Sequence, residues 1–374
     1  MEAKEVLRKI EEKGFEAYIV GGYVRDFVLG IESHDVDICT NARVKDILDI
    51  FGNYLAHSDY YGNVKMISDK YNIDITTYRR DVKYNDDRRQ VEIEYVDNLM
   101  DDLDRRDFTM NTLCMNENDV IIDAFNGRKD IIDKVIRCVG NPEERIQEDP
   151  LRMLRAIRFA TVLDFRIEES LYDTLKKNAN LLERLSLERI KEELTKILVN
   201  KNAIRGLDYL RRLGFLEYLG IEYDKIVNVT DICGMYSQLV IKKDYPFTKE
   251  EKELISNIKK IVAYGDIDND ILFEYGLYAS LVAGNILGLR IKDITDMNAK
   301  MKIQSIKDIN ISSEEICSIL DIEPSKIIRD VYDDLKVLIL DNKLDNDNEV
   351  IKNYINDNRE RWLDERSNKG NFIF

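Results

Sequence analysis

Apolar residues follow two different rhythms along this chain. Over the first 139 residues, short apolar runs alternate between helical and strand spacing. Val6, Leu7 and Ile10 predict a helix over 2–13, and Ala17–Val20 reads as a short strand ending at a glycine pair. Tyr23–Leu29 reads as a helix closed by Gly30. Asp35–Cys39 reads as a strand with Val36 and Ile38 inward and two aspartates on the opposite face. Val44–Phe51 predicts a helix. Val64–Ser68 and Ile73–Tyr78 predict a hairpin, with Asp74, Thr76 and Tyr78 on one face of its second strand. Arg79–Gln90 is polar and charged and reads as a mobile loop. The strand pair Leu113–Asn116 and Val120–Asp123 ends this mixed part near residue 139.

From Pro142 onward the spacing is helical in segment after segment: Leu151–Val162, Leu181–Leu198, Ala203–Leu213, Glu250–Ala263, Ile271–Gly284, Ser313–Leu320, Lys326–Leu340 and Val350–Arg361. The fold class that follows is α+β, a small mixed sheet succeeded by an all-helical remainder.

Composition narrows the chemistry. The 374 residues suffice for more than one domain, and 44% apolar with 34% charged content describes a soluble folded chain. Five cysteines without a Cys-x-x-Cys argue for reduced cytoplasmic thiols and against a zinc site. Two histidines, His34 and His57, exclude histidine-cluster metal sites. No apolar run is long enough for a membrane span, and the N-terminus reads as a charged helix rather than a signal peptide. The net charge of −16 opposes bulk binding to nucleic acid, so any such binding rests on clustered Lys and Arg, with Lys191, Lys196, Lys201 and Arg205 as candidates.

Three clusters carry chemistry. In the first, Gly21-Gly22-Tyr23-Val24-Arg25-Asp26 precedes Asp35-Val36-Asp37. Carboxylates at i and i+2 share a strand face and repel each other, which calls for a cation. A glycine turn before a helix offers N–H groups to phosphate. Asp74, on a neighbouring strand, brings a third carboxylate. Acids converging without histidine suit Mg²⁺.

The second cluster is Arg105-Arg106-Asp107-Phe108-Thr109-Met110-Asn111. Its Arg pair suits phosphate, and Asp107 and Asn111 suit ribose hydroxyls. In the third, Glu148-Asp149-Pro150-Leu151-Arg152-Met153-Leu154-Arg155-Ala156-Ile157-Arg158, three arginines form a slanted stripe. Asp149 and Arg152 make a planar reader. A carboxylate accepts from the exocyclic amine of cytosine or adenine, and a guanidinium donates to the adjacent ring nitrogen. Uracil and guanine present the opposite pattern, leaving both groups unsatisfied at roughly 1–3 kcal/mol each.

In this order the clusters resemble the class II CCA-adding tRNA nucleotidyltransferases and the related bacterial poly(A) polymerases. Ser186-Leu187-Glu188-Arg189 with Glu192-Glu193 is similar to the family's helix-stabilising motif. Thr77-Tyr78-Arg79-Arg80-Asp81 with Tyr84-Asn85-Asp86-Asp87-Arg88-Arg89 resembles the flexible loop linked to switching from C to A addition, although Gln90 stands where the family usually has proline.

The resemblance implies a catalytic nucleotidyltransferase head over 1–139, a nucleotide-reading neck over 140–199, a body over 200–300 and a tRNA-binding tail over 301–374. It implies that Asp35 and Asp37 ligate Mg²⁺, to which the strand reading above adds Asp74 as a third catalytic acid. It implies that Gly22, Arg25, Arg106, Arg155 and Arg158 contact the nucleotide and that Asp149 and Arg152 read its base; with Gly21, Asp107 and Asn111 from the clusters above, these make up the expected nucleotide site.

The reaction implied is untemplated addition of CCA to the 3′ end of tRNA from CTP and ATP, releasing pyrophosphate. The implied setting is cytoplasmic, without a membrane or an obligatory protein partner. The alternatives are a poly(A) polymerase or an A-adding enzyme on the same scaffold and, more remotely, a silent RNA-binding protein.

Overall fold

In the computed structural model, which describes residues 2–52, 55–58, 62–66, 68, 70–84 and 91–363 (55–58, 81–84, 91 and 92 by backbone alone), the chain forms two compact units. One comprises Met1–Glu222 with Val240–Pro246, the other Tyr223–Leu239 with Phe247–Phe374.

The first unit opens with α1 (Ala3–Glu11), which buries Ala3, Val6, Leu7 and Ile10. There follow β1 (Ala17–Val20), α2 (Gly22–Leu29), β2 (Asp35–Thr40), α3 (Val44–Phe51), β3 (Leu55–Ser58), β4 (Asn63–Met66) and β5 (Asn72–Thr77). Next come β6 (Arg79–Tyr84), β7 (Val91–Tyr95), α4 (Leu99–Asp104), β8 (Cys114–Met115), β9 (Ile121–Ile122) and α5 (Gly127–Ile132). Seven strands form one sheet in the order β3-β4-β5-β2-β1-β8-β9. Within it β2 and β5 are parallel, while β1 is antiparallel to both of its neighbours. Val36, Ile38, Ile73 and Ile75 are buried, which fixes the register and turns the alternate positions, Asp35, Asp37 and Asp74, to the other face.

The expected hairpin is the β4–β5 pair. The stretch expected as a loop departs from its reading. Arg79–Tyr84 is a strand paired antiparallel with β7 in a separate two-stranded ribbon, and 85–90 lie outside the described residues. The stretch Arg79-Arg80-Asp81-Val82-Lys83-Tyr84 is mostly charged, so no apolar alternation announces it.

Beyond the sheet come β10 (Val135–Ile136), α6 (Pro142–Glu148), α7 (Leu151–Val162), β11 (Arg166–Ile167), α8 (Glu169–Lys177), α9 (Leu187–Leu198), α10 (Ala203–Arg212) and α11 (Phe215–Leu219). The expected single helix over Leu181–Leu198 is broken. Ala179–Arg184 is a 3₁₀ segment, and α9 starts afresh at Ser186, whose side chain accepts from the Arg189 N–H.

In the second unit, Ile316, Val331, Leu335, Ile339, Ile351 and Trp362 are buried in one core between helices Ser313–Leu320, Lys326–Leu340, Asn348–Asp357 and Arg359–Leu363. Lys249–Tyr264, Asn269–Leu287 and Ile291–Lys300 precede them, the second interrupted at Gly276. Among the described residues no helix is long and apolar enough to cross a membrane.

Candidate active site

Strand register brings the acids together. In the parallel pairing of β2 with β5, Asp37 lies opposite Asp74, and Asp35 lies opposite Asn72. The Asn72 amide donates to Asp35 at 2.8 Å, and Lys65 stands 3.9 Å from Asp74. The Asp37 carboxyl is pushed above its ordinary value. Desolvation is the main cause, Arg106 opposes it, and Asp74 and Asp35 add to it.

Among the described residues no group of three His, Cys, Asp or Glu is already gathered tightly enough to enclose a metal ion. The donor set is nevertheless all oxygen, and its mutual repulsion is what a hard cation relieves. A divalent ion therefore fits Asp35 and Asp37.

The turn beside them is built for an anion. Gly21 has φ 76 and ψ −130, a conformation essentially closed to residues with a Cβ. A Cβ there would sit 3.4 Å from Arg106 Nη1 and 3.7 Å from Asp37 Oδ2, so the glycine lies between cation and carboxylate. As N-cap of α2, Gly21 also provides no side-chain cap.

A chain of charge-assisted bonds leads away from this turn. Arg25 donates through Nη1 to Asn111 Oδ1 at 2.8 Å, and Asn111 Nδ2 donates to Asp107 Oδ1 at 3.0 Å. On α7, Arg155 grips Asp107 Oδ2 with Nε at 2.8 Å and with Nη2. Burial alone would raise the Asp107 carboxyl. Arg155 first, and then the bonds from Asn111, Arg155 and the Phe108 N–H, outweigh it and hold the group below the usual carboxylate range. Arg106 donates Nη2 to Asp102 at 3.1 Å, while its buried Nε meets no acceptor among the described residues.

The helical side completes the enclosure. Pro150 caps α7, so Asp149 falls in the break between α6 and α7. Asp149 Oδ1 accepts from the Leu151 N–H at 3.1 Å and from Arg189 Nη2 at 3.4 Å. Arg152 is only 5% exposed, so the arginine stripe is no solvated face. It donates Nη1 to Arg145 O and Glu148 Oε2 and Nη2 to Arg105 O. Nε–H and one hydrogen on Nη2 remain among the described residues. Arg158 pairs with buried Glu193 at 2.9 Å. The guanidiniums of Arg25, Arg155 and Arg158 lie 5.3, 5.5 and 4.3 Å from the Phe159 ring centroid.

These groups face one cavity of about 580 Å³ whose wall carries eight arginines against three aspartates. All ten residues expected to bind nucleotide line it, together with Asp37; Asp35 and Asp74 are not in its wall. Arg79, Arg105, Phe159 and Arg189 also line it; the sequence reads Arg105 as half of a phosphate-suiting pair and Arg79 and Arg189 as parts of motifs, but none is among the ten nucleotide-binding residues expected. The doubled arginine at 105–106 was a usable signal for Arg105. Nothing in the chain order signals that Arg189 returns to Asp149, 40 positions earlier. Of the lysines and arginine considered for an RNA surface, Lys196 is spent on Glu193 and Arg205 on Asp164.

Comparison with known proteins sets this geometry in a family. Residues 17–137 match the Poly A polymerase head domain, and 164–224 match a probable RNA- and SrmB-binding site of polymerase A. The CCA-adding enzyme of Ligilactobacillus salivarius is 33% identical over 380 residues, covering 93% of this chain and 94% of the relative. The chain belongs to the CCA-adding enzyme family. The CCA-adding enzyme of Pediococcus pentosaceus is 32% identical over 95% of the chain and 97% of the relative. The crystal structure of the Bacillus stearothermophilus CCA-adding enzyme in complex with CTP matches with a TM-score of 0.80 and 25% identity over 98% of each chain. CCA-adding enzymes are nucleotidyltransferases and generally use a divalent metal.

Proposed function

We propose that this chain adds CCA to the 3′ end of tRNA without a template, using CTP and ATP and releasing pyrophosphate. One observation carries the reading: Asp37, Arg106 and the Gly21 turn share a single cavity with Asp149 and Arg152. An acid and anion-binding donors suit a triphosphate, and a carboxylate with a guanidinium suits the amine and ring nitrogen of cytosine or adenine. The near end-to-end likeness to relatives named CCA-adding enzyme supports the same conclusion.

The residues divide the work. The Gly21-Gly22 turn and the first amides of α2 cradle the triphosphate. Arg25, Arg106, Arg155 and Arg158 balance its charge, and Asp107 with Asn111 orients the ribose while fixing Arg155 and Arg25. Asp149 accepts from the exocyclic amine and Arg152 donates to the ring nitrogen. Asp35 and Asp37 would hold Mg²⁺, and Asp74 reinforces the negative potential beside Asp37. When bound, Mg²⁺ lowers the pKa of the attacking 3′-hydroxyl and neutralises the departing pyrophosphate. The protein forms no covalent intermediate; positioning and electrostatics carry the rate.

The working division is a catalytic head over 1–139, a neck over 140–199, a body over 200–300 and a tRNA-binding tail over 301–374. The setting we assign is the cytoplasm, consistent with five cysteines and no disulfide among the described residues.

The decisive experiment supplies tRNA ending at its discriminator base with CTP and ATP, singly and together. The expected products are two added cytidines with CTP alone and a completed CCA with both. A growing A tail, or no cytidine added from CTP, overturns the reading.

A further inference from the structure

Asp102 lies outside every motif considered above, yet its side chain is among the most buried carboxylates in the first unit, at 1% exposure. Three arginines of the cavity wall meet at it. Oδ1 accepts from Arg105 Nε at 3.0 Å, from Arg105 Nη2 at 2.6 Å and from the backbone N–H of Arg79 at 3.3 Å. Oδ2 accepts from Arg106 Nη2 at 3.1 Å.

Each of those arginines leads to a different part of the cavity. Arg106 lies against the Gly21 turn, beside Asp37. The carbonyl of Arg105 accepts from Arg152 Nη2 at 2.8 Å, which among the described residues is Arg152's one hydrogen bond to the sheet-bearing side; its other two are to α6. Arg79 begins β6, the first strand of the charged ribbon. The next residue repeats the attachment, since Arg80 Nη2 reaches Asp101 Oδ1 at 2.7 Å.

We propose that Asp102 is a positioning residue that sets the phosphate side and the base-reading side of the cavity in register, through Arg106 on one hand and Arg105 and Arg152 on the other. It touches neither nucleotide nor tRNA. A buried carboxylate accepting from two guanidiniums and a backbone N–H fixes all three more firmly than exposed pairs do, because none of the three readily exchanges it for water. The inference rests on the reading of Asp149 and Arg152 given above, and it adds a cause for the placement of Arg152.

Selectivity is the readout that a merely structural role leaves still. Loss of folded protein scales incorporation of every nucleotide alike, whereas a displaced Arg152 changes the ratio between nucleotides. The experiment uses the full chain, tRNA ending at its discriminator base, Mg²⁺, and CTP or UTP. In Asp102→Asn, kcat/KM for CTP is expected to fall at least 30-fold and the CTP-to-UTP ratio at least 10-fold. Arg105→Lys keeps the charge but loses the two-nitrogen grip on Asp102, and it is expected to lower the ratio in the same direction if Asp102→Asn does not fold.

A wild-type ratio preserved in both variants overturns the proposal. A wild-type enzyme that itself shows no preference for CTP over UTP overturns the base-reading assignment and this inference with it.

Discussion

Gly21→Ala tests the link between backbone conformation and chemistry at one atom. The native φ of 76 and ψ of −130 place this residue where a Cβ is strained, at about 1–3 kcal/mol. For a unit of this size roughly 2 kcal/mol corresponds to a Tm drop of about 4–8 °C. The added carbon also enters the space between Arg106 Nη1, 3.4 Å away, and Asp37 Oδ2, 3.7 Å away. Both are ordinary contacts that the side chains can keep, so the carbon displaces what approaches the turn, an incoming phosphate, rather than Arg106. A displacement near 1 Å at a reacting centre costs on the order of 100-fold in rate.

Gly22→Ala is the control, because its Cβ meets only Arg25 Nη2 at 3.7 Å, an ordinary contact, at a helix position where alanine is favoured. Differential scanning calorimetry and CMP incorporation into tRNA are the assays. The expectation is a Tm lowered by several degrees with a rate loss of about 100-fold for Gly21→Ala, and an unchanged or raised Tm for Gly22→Ala. Equal Tm values for the two variants, with the Gly21→Ala rate within threefold of wild type, refute the reasoning.

Three further outcomes follow from the same contacts. Asp149→Ala leaves the base edge without its acceptor, so the preference for CTP over UTP should fall by roughly 10- to 100-fold, read from single-nucleotide incorporation. Asp107 has its pKa lowered in the folded state, so its stabilising contribution is complete above the ordinary carboxylate value and is lost as pH falls through the depressed one. Asp107→Asn should therefore be less stable than wild type at neutral pH, with the difference shrinking below about pH 4 in urea titrations; a constant difference across that range contradicts the pairing. Cys39, Cys114, Cys138 and Cys233 are buried, Cys138 with its thiol pushed up to about 12, whereas Cys317 is partly exposed. A thiol reagent on native protein should label Cys317 first, and rapid reaction of Cys138 would contradict the fold.

How far the chain could be read depended on how locally each feature is encoded. The acids were legible because strand alternation is strict: once Val36 and Ile38 go inward, Asp35 and Asp37 must share the other face, and Asp74 follows from the alternation of Ile73 and Ile75. The end of α2 was legible because Gly30 adopts the left-handed conformation that closes a helix.

The failures have physical causes too. Leu181–Leu198 keeps apolar spacing through the break at Leu185, so only the capping role of Ser186 marks the restart that delivers Arg189 to Asp149. Arg79–Tyr84 hid as a strand because its mostly charged sequence shows no apolar alternation, while its pairing with β7 is made through the backbone. The ties that build the cavity, such as Arg25 to Asn111 across 86 positions and Arg155 to Asp107 across 48, are set by the fold, and no local pattern announces them.

A crystal structure of this chain with CTP and Mg²⁺ bears most directly on the central claim. The account predicts the ion on Asp35 and Asp37, the triphosphate against the Gly21-Gly22 turn and Arg106, and the cytosine amine on Asp149 with its ring nitrogen on Arg152. Density for CTP lodged away from the aspartates of β2, or a cytosine edge turned from Asp149 and Arg152, contradicts it.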